Sequence, residues 1–214
     1  MLGRRRQSGD TLIEVMLAIA VFSAVIVGSI VLMNRGTAAA TRSLQITLVR
    51  QEIDAQAEAL RFMSASYAAG FIGNTAPQPG SGSPAKEYAK VINHISAGGT
   101  QVAVSKFGGT DPNKCQTPPA RSFILDPRKA TMKTGPFVEA DAYSHIIYNN
   151  EDTAPVFARS QGVWIEGLRS GVGAGDQANV RYIDFHIRAC WFAPGTILPM
   201  NLGTIVRLYE PVAN

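Results

Sequence analysis

Proline is missing from the first 76 residues of this 214-residue chain. Nothing there forces a helix to stop, because no ring clashes with the preceding turn and no amide hydrogen is lost. Charge is scarce as well: Asp, Glu, Lys and Arg make up 17% of the chain. Between Leu12 and Met33 the one ionisable side chain is Glu14. Cysteine is nearly absent. Cys115 and Cys190 stand alone, without the paired spacing of zinc ligands. His94, His145 and His186 are scattered, with no i, i+4 pair on one helix face. No Gly-x-Ser-x-Gly elbow is present. Gly171-Val172-Gly173-Ala174-Gly175 lacks the Gly-Lys-Ser/Thr ending of a phosphate loop and falls between two predicted strands, so it reads as a hairpin turn. These absences leave no catalytic constellation. The chain is read as a non-enzyme, with no catalytic residues, no cofactor and no metal site.

What is present is a basic start followed by an apolar run. Arg4, Arg5 and Arg6 precede 22 residues, Leu12 to Met33, whose only charge is Glu14. A bilayer core needs roughly 20 apolar residues in a helix. The run can therefore span a membrane, with the three arginines holding its N-terminus on the cytoplasmic side. Glu14 is out of place there, since a carboxylate in hydrocarbon costs on the order of 2–3 kcal/mol at the helix centre and less near an end. Either it is the tolerated edge of an ordinary anchor, or it meets a new positive charge made by cutting the chain just upstream.

At these residues the chain resembles the type IV pilin family. The shared pattern is a short basic leader ending in Gly9, then Asp10-Thr11-Leu12-Ile13-Glu14-Val15-Met16-Leu17 opening a long apolar helix. The first residue after the Gly is Asp10, where the family more often has Phe or another apolar residue. The resemblance covers about thirty residues. It implies that a prepilin peptidase cuts between Gly9 and Asp10 and that the new amine of Asp10 is methylated. It also implies that Glu14 meets the N-terminal amine of a neighbouring subunit in a filament. The implied partners are other pilin subunits, in a homo- or hetero-polymer, the pilus assembly machinery, and the membrane before assembly. The implied location is a single-pass cytoplasmic (inner) membrane precursor, then a pilus on the cell surface serving adhesion, motility or DNA uptake. The physics agrees with this scheme. Removing residues 1–9 deletes the cationic anchor and leaves an amine about one helical turn from Glu14.

The leader also accounts for most of the basic balance. The chain has 20 Lys and Arg against 16 Asp and Glu, with a pI of 9.2. Without the three arginines of the leader that becomes 17 against 16, so no general nucleic-acid footprint is supported. For an exported domain, Cys115 and Cys190 are expected to form a disulfide; the other reading is two buried thiols.

Beyond the apolar run, Ile46, Val49, Ile53, Ala57, Leu60, Met63 and Tyr67 recur at spacings of three and four, one face of a helix. One helix is therefore expected from about Thr11 to about Ala68, apolar all round in its first half and amphipathic in its second. The fold class is α+β: this long helix packed on a C-terminal antiparallel β-sheet head, as in pilins. The expected divisions are a leader at 1–9, a membrane and polymerisation helix at 10–36, the amphipathic half at 37–69, a Gly/Pro/Ser-rich linker at 70–84 and the head at 85–214. Candidate strands are Tyr88–Ile92, Gln101–Phe107, Arg121–Leu125, Tyr143–Tyr148, Val163–Leu168, Val180–Trp191 and Thr204–Tyr209. The stretch from Cys115 to Pro136 is otherwise expected to be irregular. In the strongest strand Ile183, Phe185, Ile187, Ala189 and Trp191 point one way, and Asp184, His186, Arg188 and Cys190 point to a polar face. A Cys115–Cys190 bridge would clip the irregular segment onto that face or the sheet edge.

Other patterns carry weaker chemistry. Asp111, Asn113, Glu151 and Asp152 lack the Asp-x-Asp-x-Asp-Gly loop of a calcium site. Trp164, Trp191 and Phe192 read as core packing. Lys86, Lys90, Lys106, Lys114, Arg128, Lys129 and Lys133 read as a solvated face, or as a surface for DNA or an acidic cell-surface ligand. Two alternatives to a filament subunit remain at this point: a minor pilin acting as a receptor, and a secreted or anchored binding domain released by signal peptidase at Ala38-Ala39-Ala40.

Overall fold

The computed structural model describes residues 10–72, 75–96, 111–148, 157–169 and 181–211. Its first element is α1, Asp10–Ala69, a single helix of 60 residues. The lack of proline permits that length. The helix ends where Gly70 follows, its N–H reaching the Ser66 carbonyl at 3.0 Å. A side chain at Gly70 would collide with Pro77 at 2.9 Å, so the glycine lets the returning chain pass close to the helix end. The chain divides into two compact units, Met1–Leu44 and Gln45–Asn214. In the first, every described side chain from Leu12 to Thr37 is exposed. Among the described residues, α1 is the one helix long and apolar enough to cross a membrane.

The second unit is a sheet-and-helix head. The α1 face expected from the sequence is its centre: Val49, Ile53, Ala57, Leu60 and Met63 are buried, and Ile46 and Tyr67 pack against them. α2 spans Pro84–Ser96, so the strand expected at Tyr88–Ile92 is a helix instead. The cause is local. Ser83 caps it, accepting the Lys86 N–H, and Pro84 takes the first helical position, where its missing N–H costs nothing. Tyr88, Val91 and Ile95 then fall on one buried face at helical spacing.

Among the described residues eight strands follow: β1 Ile124–Asp126, β2 Thr131–Lys133, β3 Phe137–Val138, β4 His145–Tyr148, β5 Phe157–Gln161, β6 Val163–Arg169, β7 Tyr182–Trp191 and β8 Met200–Tyr209. β1 and β2 form an antiparallel hairpin inside the stretch expected to be irregular. β3, β5 and β4 form a second sheet, in which β3 runs parallel to β5. β6, β7 and β8 form the expected antiparallel meander, with Ile187 opposite Ile165 and Thr204. The strand proposed at Gln101–Phe107 and the glycine turn at Ser170–Gln177 lie outside the described residues.

Alternation in β7 places Ile183, Phe185, Ile187, Ala189 and Trp191 in the core. Tyr67, Tyr88, Phe185 and Phe123 form a continuous row of aromatic contacts, with centroids 5.4 to 6.3 Å apart. The opposite face of β7 is not uniformly solvated, as the alternation alone suggested. Tyr182, Asp184 and His186 are half-buried, but Arg188 and Cys190 are buried. Arg188 lies 3.2 Å from the buried carboxylate of Glu166, whose oxygen also accepts the Trp164 indole N–H at 2.7 Å. Paired in this way, the two charges leave water without stranding either one.

Candidate functional site

The residues singled out at the N-terminus divide into two groups. Arg4, Arg5, Arg6 and Gly9 lie outside the described residues. Asp10 is the first residue of α1. Glu14 is exposed, four positions later on the same helical face. Leu12, Ile13, Val15, Met16 and Leu17 surround it, each more than half exposed. The apolar surface continues through Phe22 and Ile30 to Met33. So large an uncovered apolar surface marks an interaction with lipid or with other proteins. A carboxylate within it gains from any cation brought to the same level, and lies near the positive end of the helix dipole.

Cys115 and Cys190 are joined by a disulfide, with Cα atoms 5.6 Å apart and 75 positions between them in sequence. The bridge ties the segment before β1 to the end of β7, on the face of the sheet away from α1. Cys190 is fully buried there. Its carbonyl accepts the Ser144 hydroxyl at 2.8 Å and its N–H donates to the Gly162 carbonyl at 2.8 Å. Gly162 has φ +66, and a Cβ on it would stand 2.3 Å from the Cys190 carbonyl oxygen. Only glycine fits at this crossing between the β3-β5-β4 and β6-β7-β8 sheets.

Two glutamines on α1 join the helix to the strands, and neither was singled out from the sequence. Gln56 is fully buried. Its Nε2 donates to the Leu125 carbonyl at 2.9 Å, and its Oε1 accepts the Leu125 N–H at 2.8 Å. Gln45 Nε2 donates to the Ala142 carbonyl at 3.2 Å, and Gln45 Oε1 accepts the Trp191 indole N–H at 3.2 Å. The signal was periodic: Gln56 lies seven positions from both Val49 and Met63, on the apolar face. Glu87 on α2 works similarly, accepting the Met132 N–H at 3.2 Å while pairing with Lys90 at 3.2 Å.

The remaining titratable groups are perturbed mainly by burial. Glu52 has its pKa raised by desolvation, against weaker opposing bonds from Gln56 and Tyr148. Burial pushes the Tyr88 hydroxyl up to about 12. His94 and His186 are held below the ordinary imidazole value by burial; a backbone hydrogen bond at Arg121 opposes the shift at His94, and the Arg188 charge adds to it at His186. Asp184 is lowered by its two-pronged bond to Arg207, 2.8 Å at each oxygen.

The cations considered as a binding face are spread over α2, the loop at Lys114 and the β1–β2 hairpin. Lys90 is paired with Glu87, and Arg128 lies 3.9 Å from Asp126 and stacks over the Tyr148 ring. Lys106 lies outside the described residues, as do Glu151 and Asp152. Asp111 accepts the Asn113 N–H at 2.9 Å, a local turn. Among the described residues no three His, Cys, Asp or Glu side chains are grouped to hold a metal. Trp164 and Trp191 are core residues, 2% and 0% exposed.

Residues 4–30 match the family model of the prokaryotic N-terminal methylation motif. No curated protein and no solved structure matches the chain significantly. The chain thus begins as type IV prepilins begin, with their N-terminal methylation motif on a long apolar helix. Its α+β fold, the helix followed by mainly antiparallel sheets, is consistent with a pilin-like protein.

Proposed function

We propose that this chain is a type IV pilin subunit, cut between Gly9 and Asp10 and assembled through its apolar helix into a surface filament. The observation that carries the reading is the methylation motif at residues 4–30 on a helix whose apolar side chains from Leu12 to Met33 are uncovered. A helix that only anchors a domain has no use for a carboxylate at Glu14. A helix that exchanges lipid for neighbouring helices does. Cutting after Gly9 creates an amine at Asp10, and the Glu14 of an axially staggered neighbour neutralises it. The pair fixes the axial step in a medium where an unpaired charge is costly.

Three further features support this reading. The helix runs unbroken through Ala38, Ala39 and Ala40, so the site considered for signal peptidase is embedded in regular helix. The disulfide suits a head exposed to an oxidising compartment. The match is to a structural class of protein, in which the subunit acts by assembling and not by turning over a substrate. In this reading the partners are other pilin subunits, the prepilin peptidase and the assembly machinery, with the membrane as the reservoir before assembly.

The mass of the mature protein in filaments sheared from cells tests the proposal. The expected species starts at Asp10 and carries one added methyl group. A species starting at Thr41, or the uncut chain recovered only from membranes, refutes it.

A further inference from the structure

Among the described residues β8 is an edge with no strand on its far side, since the sheet order is β6-β7-β8. β6, at the other end, is met by Phe123 in a bridge to Ile165. Bare edges invite pairing with other chains, and proteins blunt them with proline, lysine, bulges or short length. β8 uses none of these. It pairs with β7 at ten consecutive positions without a bulge. It holds no proline and no lysine, and its one charge is Arg207. That charge is turned back onto its own sheet. Arg207 donates to both carboxylate oxygens of Asp184 at 2.8 Å and lies 4.0 Å over the Tyr182 ring.

Antiparallel pairing fixes which groups point outward. The Glu210 N–H reaches the Arg181 carbonyl at 2.8 Å, so the even positions of β8 face β7. The N–H and C=O of Asn201, Gly203, Ile205, Arg207 and Tyr209 therefore point away from it. On the outer face Ile205 is 61% and Tyr209 62% exposed, while Met200, Leu202, Val206 and Leu208 pack inward. These outward positions complement themselves. With a second β8 set antiparallel and the two Ile205 residues opposite each other, Asn201 faces Tyr209 and Gly203 faces Arg207. Each facing pair then exchanges two hydrogen bonds. On the inner side Leu202 falls opposite Leu208, and Thr204 opposite Val206. Each Arg207 lies opposite a glycine, so no like charges meet across the seam.

We propose that β8 pairs with the β8 of a second copy of this chain, across a two-fold axis at Ile205, joining two three-stranded sheets into one. A single strand pair is smaller than the standard interface of about 1,600 Å², so the dimer is weak and depends on concentration. The axis stands perpendicular to the sheet, so residues 45–69 of the two chains run in opposite directions. Chains that share one direction cannot meet in this way. The pairing belongs to the head and holds whether or not the chain polymerises. In the filament proposed above it would join heads of two adjacent fibres of opposite direction.

The test uses the full chain in detergent. Sedimentation over a wide concentration range should show reversible monomers and dimers. Ile205→Lys sets two lysines opposite each other at the axis and should weaken the dimer by about tenfold. Ile205 is exposed, so the change removes no packing, and an unchanged near-ultraviolet spectrum checks the fold. Cys115 and Cys190 are bonded to each other, so an added cysteine is the chain's one free thiol. At Ile205→Cys the facing Cα atoms stand about 5.5 Å apart, within reach of a disulfide. At Tyr209→Cys the two copies are roughly 27 Å apart. Mild oxidation should link the first variant into dimers and leave the second unlinked. A chain that stays monomeric throughout overturns the proposal. So does a dimer as strong with Ile205→Lys as without it, because the contact is then made by the apolar run or another face. Equal linking at both cysteines overturns the register, and the two-fold pairing with it.

Discussion

Replacing Gln56 with Met should cost the head about 3 kcal/mol, because the change strands two backbone groups inside the core. Gln56 and Leu125 are each 0% exposed. The side-chain amide meets the Leu125 N–H and C=O at 2.8 and 2.9 Å, closing a two-bond ring between α1 and β1. Methionine has nearly the same length and volume, so the cavity and overpacking contributions stay small. What is lost is hydrogen bonding. An orphaned buried donor or acceptor costs about 1–3 kcal/mol, so two of them cost roughly 2–6 kcal/mol. Burying a thioether in place of an amide returns on the order of 1–2 kcal/mol. For a unit of this size each kcal/mol lowers Tm by about 2–4 °C, so the expected drop is roughly 10 °C. The assay is a thermal melt of the full chain in detergent, followed by near-ultraviolet circular dichroism to report the aromatic core. Gln51→Met on the exposed side of the same helix is the control and should stay within about 0.5 kcal/mol. Amide exchange at Leu125 should accelerate in the Gln56 variant alone. A Gln56→Met drop no larger than the control, with Leu125 still protected, refutes the reasoning.

Four further outcomes are expected. Reducing the Cys115–Cys190 bond, which spans 75 positions, should remove about 4 kcal/mol in the chain-entropy picture and lower the urea midpoint. Gly162→Ala should destabilise by about 3 kcal/mol or more, read as a lower melting temperature, since its φ is +66 and the new Cβ meets a carbonyl oxygen at 2.3 Å. Burial raises the Glu52 carboxyl above its ordinary 4.5, so this group's favourable contribution is present at acid pH and lost as pH rises through the raised value. Glu52→Gln should therefore be more stable than the parent at neutral pH, a gain that vanishes below about pH 4 in paired denaturant titrations. Glu14→Ala should still be trimmed after Gly9 but yield far fewer filaments by electron microscopy. Normal fibre numbers would refute the charge-pairing scheme.

Much of the fold is legible in the residues because its signals are periodic and local. The absence of proline before Pro77 and the three-four spacing of Ile46 to Tyr67 announce α1 and its buried face. Strict alternation from Ile183 to Trp191 announces β7. α2 was missed although its signs were present: the short apolar group at Tyr88 and Val91 suggested a strand, while Ser83-Pro84 was already marking a helix start. The burial of Cys190 and Arg188 was not legible, because period-two alternation says which face a residue takes but not what covers that face. The same limit applies to Gln56, since a polar residue on an apolar face declares its partner only once Leu125 is folded against it. At the N-terminus the reverse holds: Gly9, Asp10 and Glu14 are a sequence pattern first, and the helix adds only that Asp10 and Glu14 lie one turn apart on it.

The polar ties between α1 and the head have a mechanical consequence. Gln45 and Gln56 sit eleven positions apart on one rigid helix, about 16 Å, and grip different parts of the sheets: Trp191 with Ala142, and Leu125. A pull along the helix axis reaches both grips together as shear, along with the apolar face between them. Nothing can peel one bond after another, as happens when a hairpin is drawn open from its end. In the filament proposed above, tension carried along the helix would therefore load both grips of a head at once.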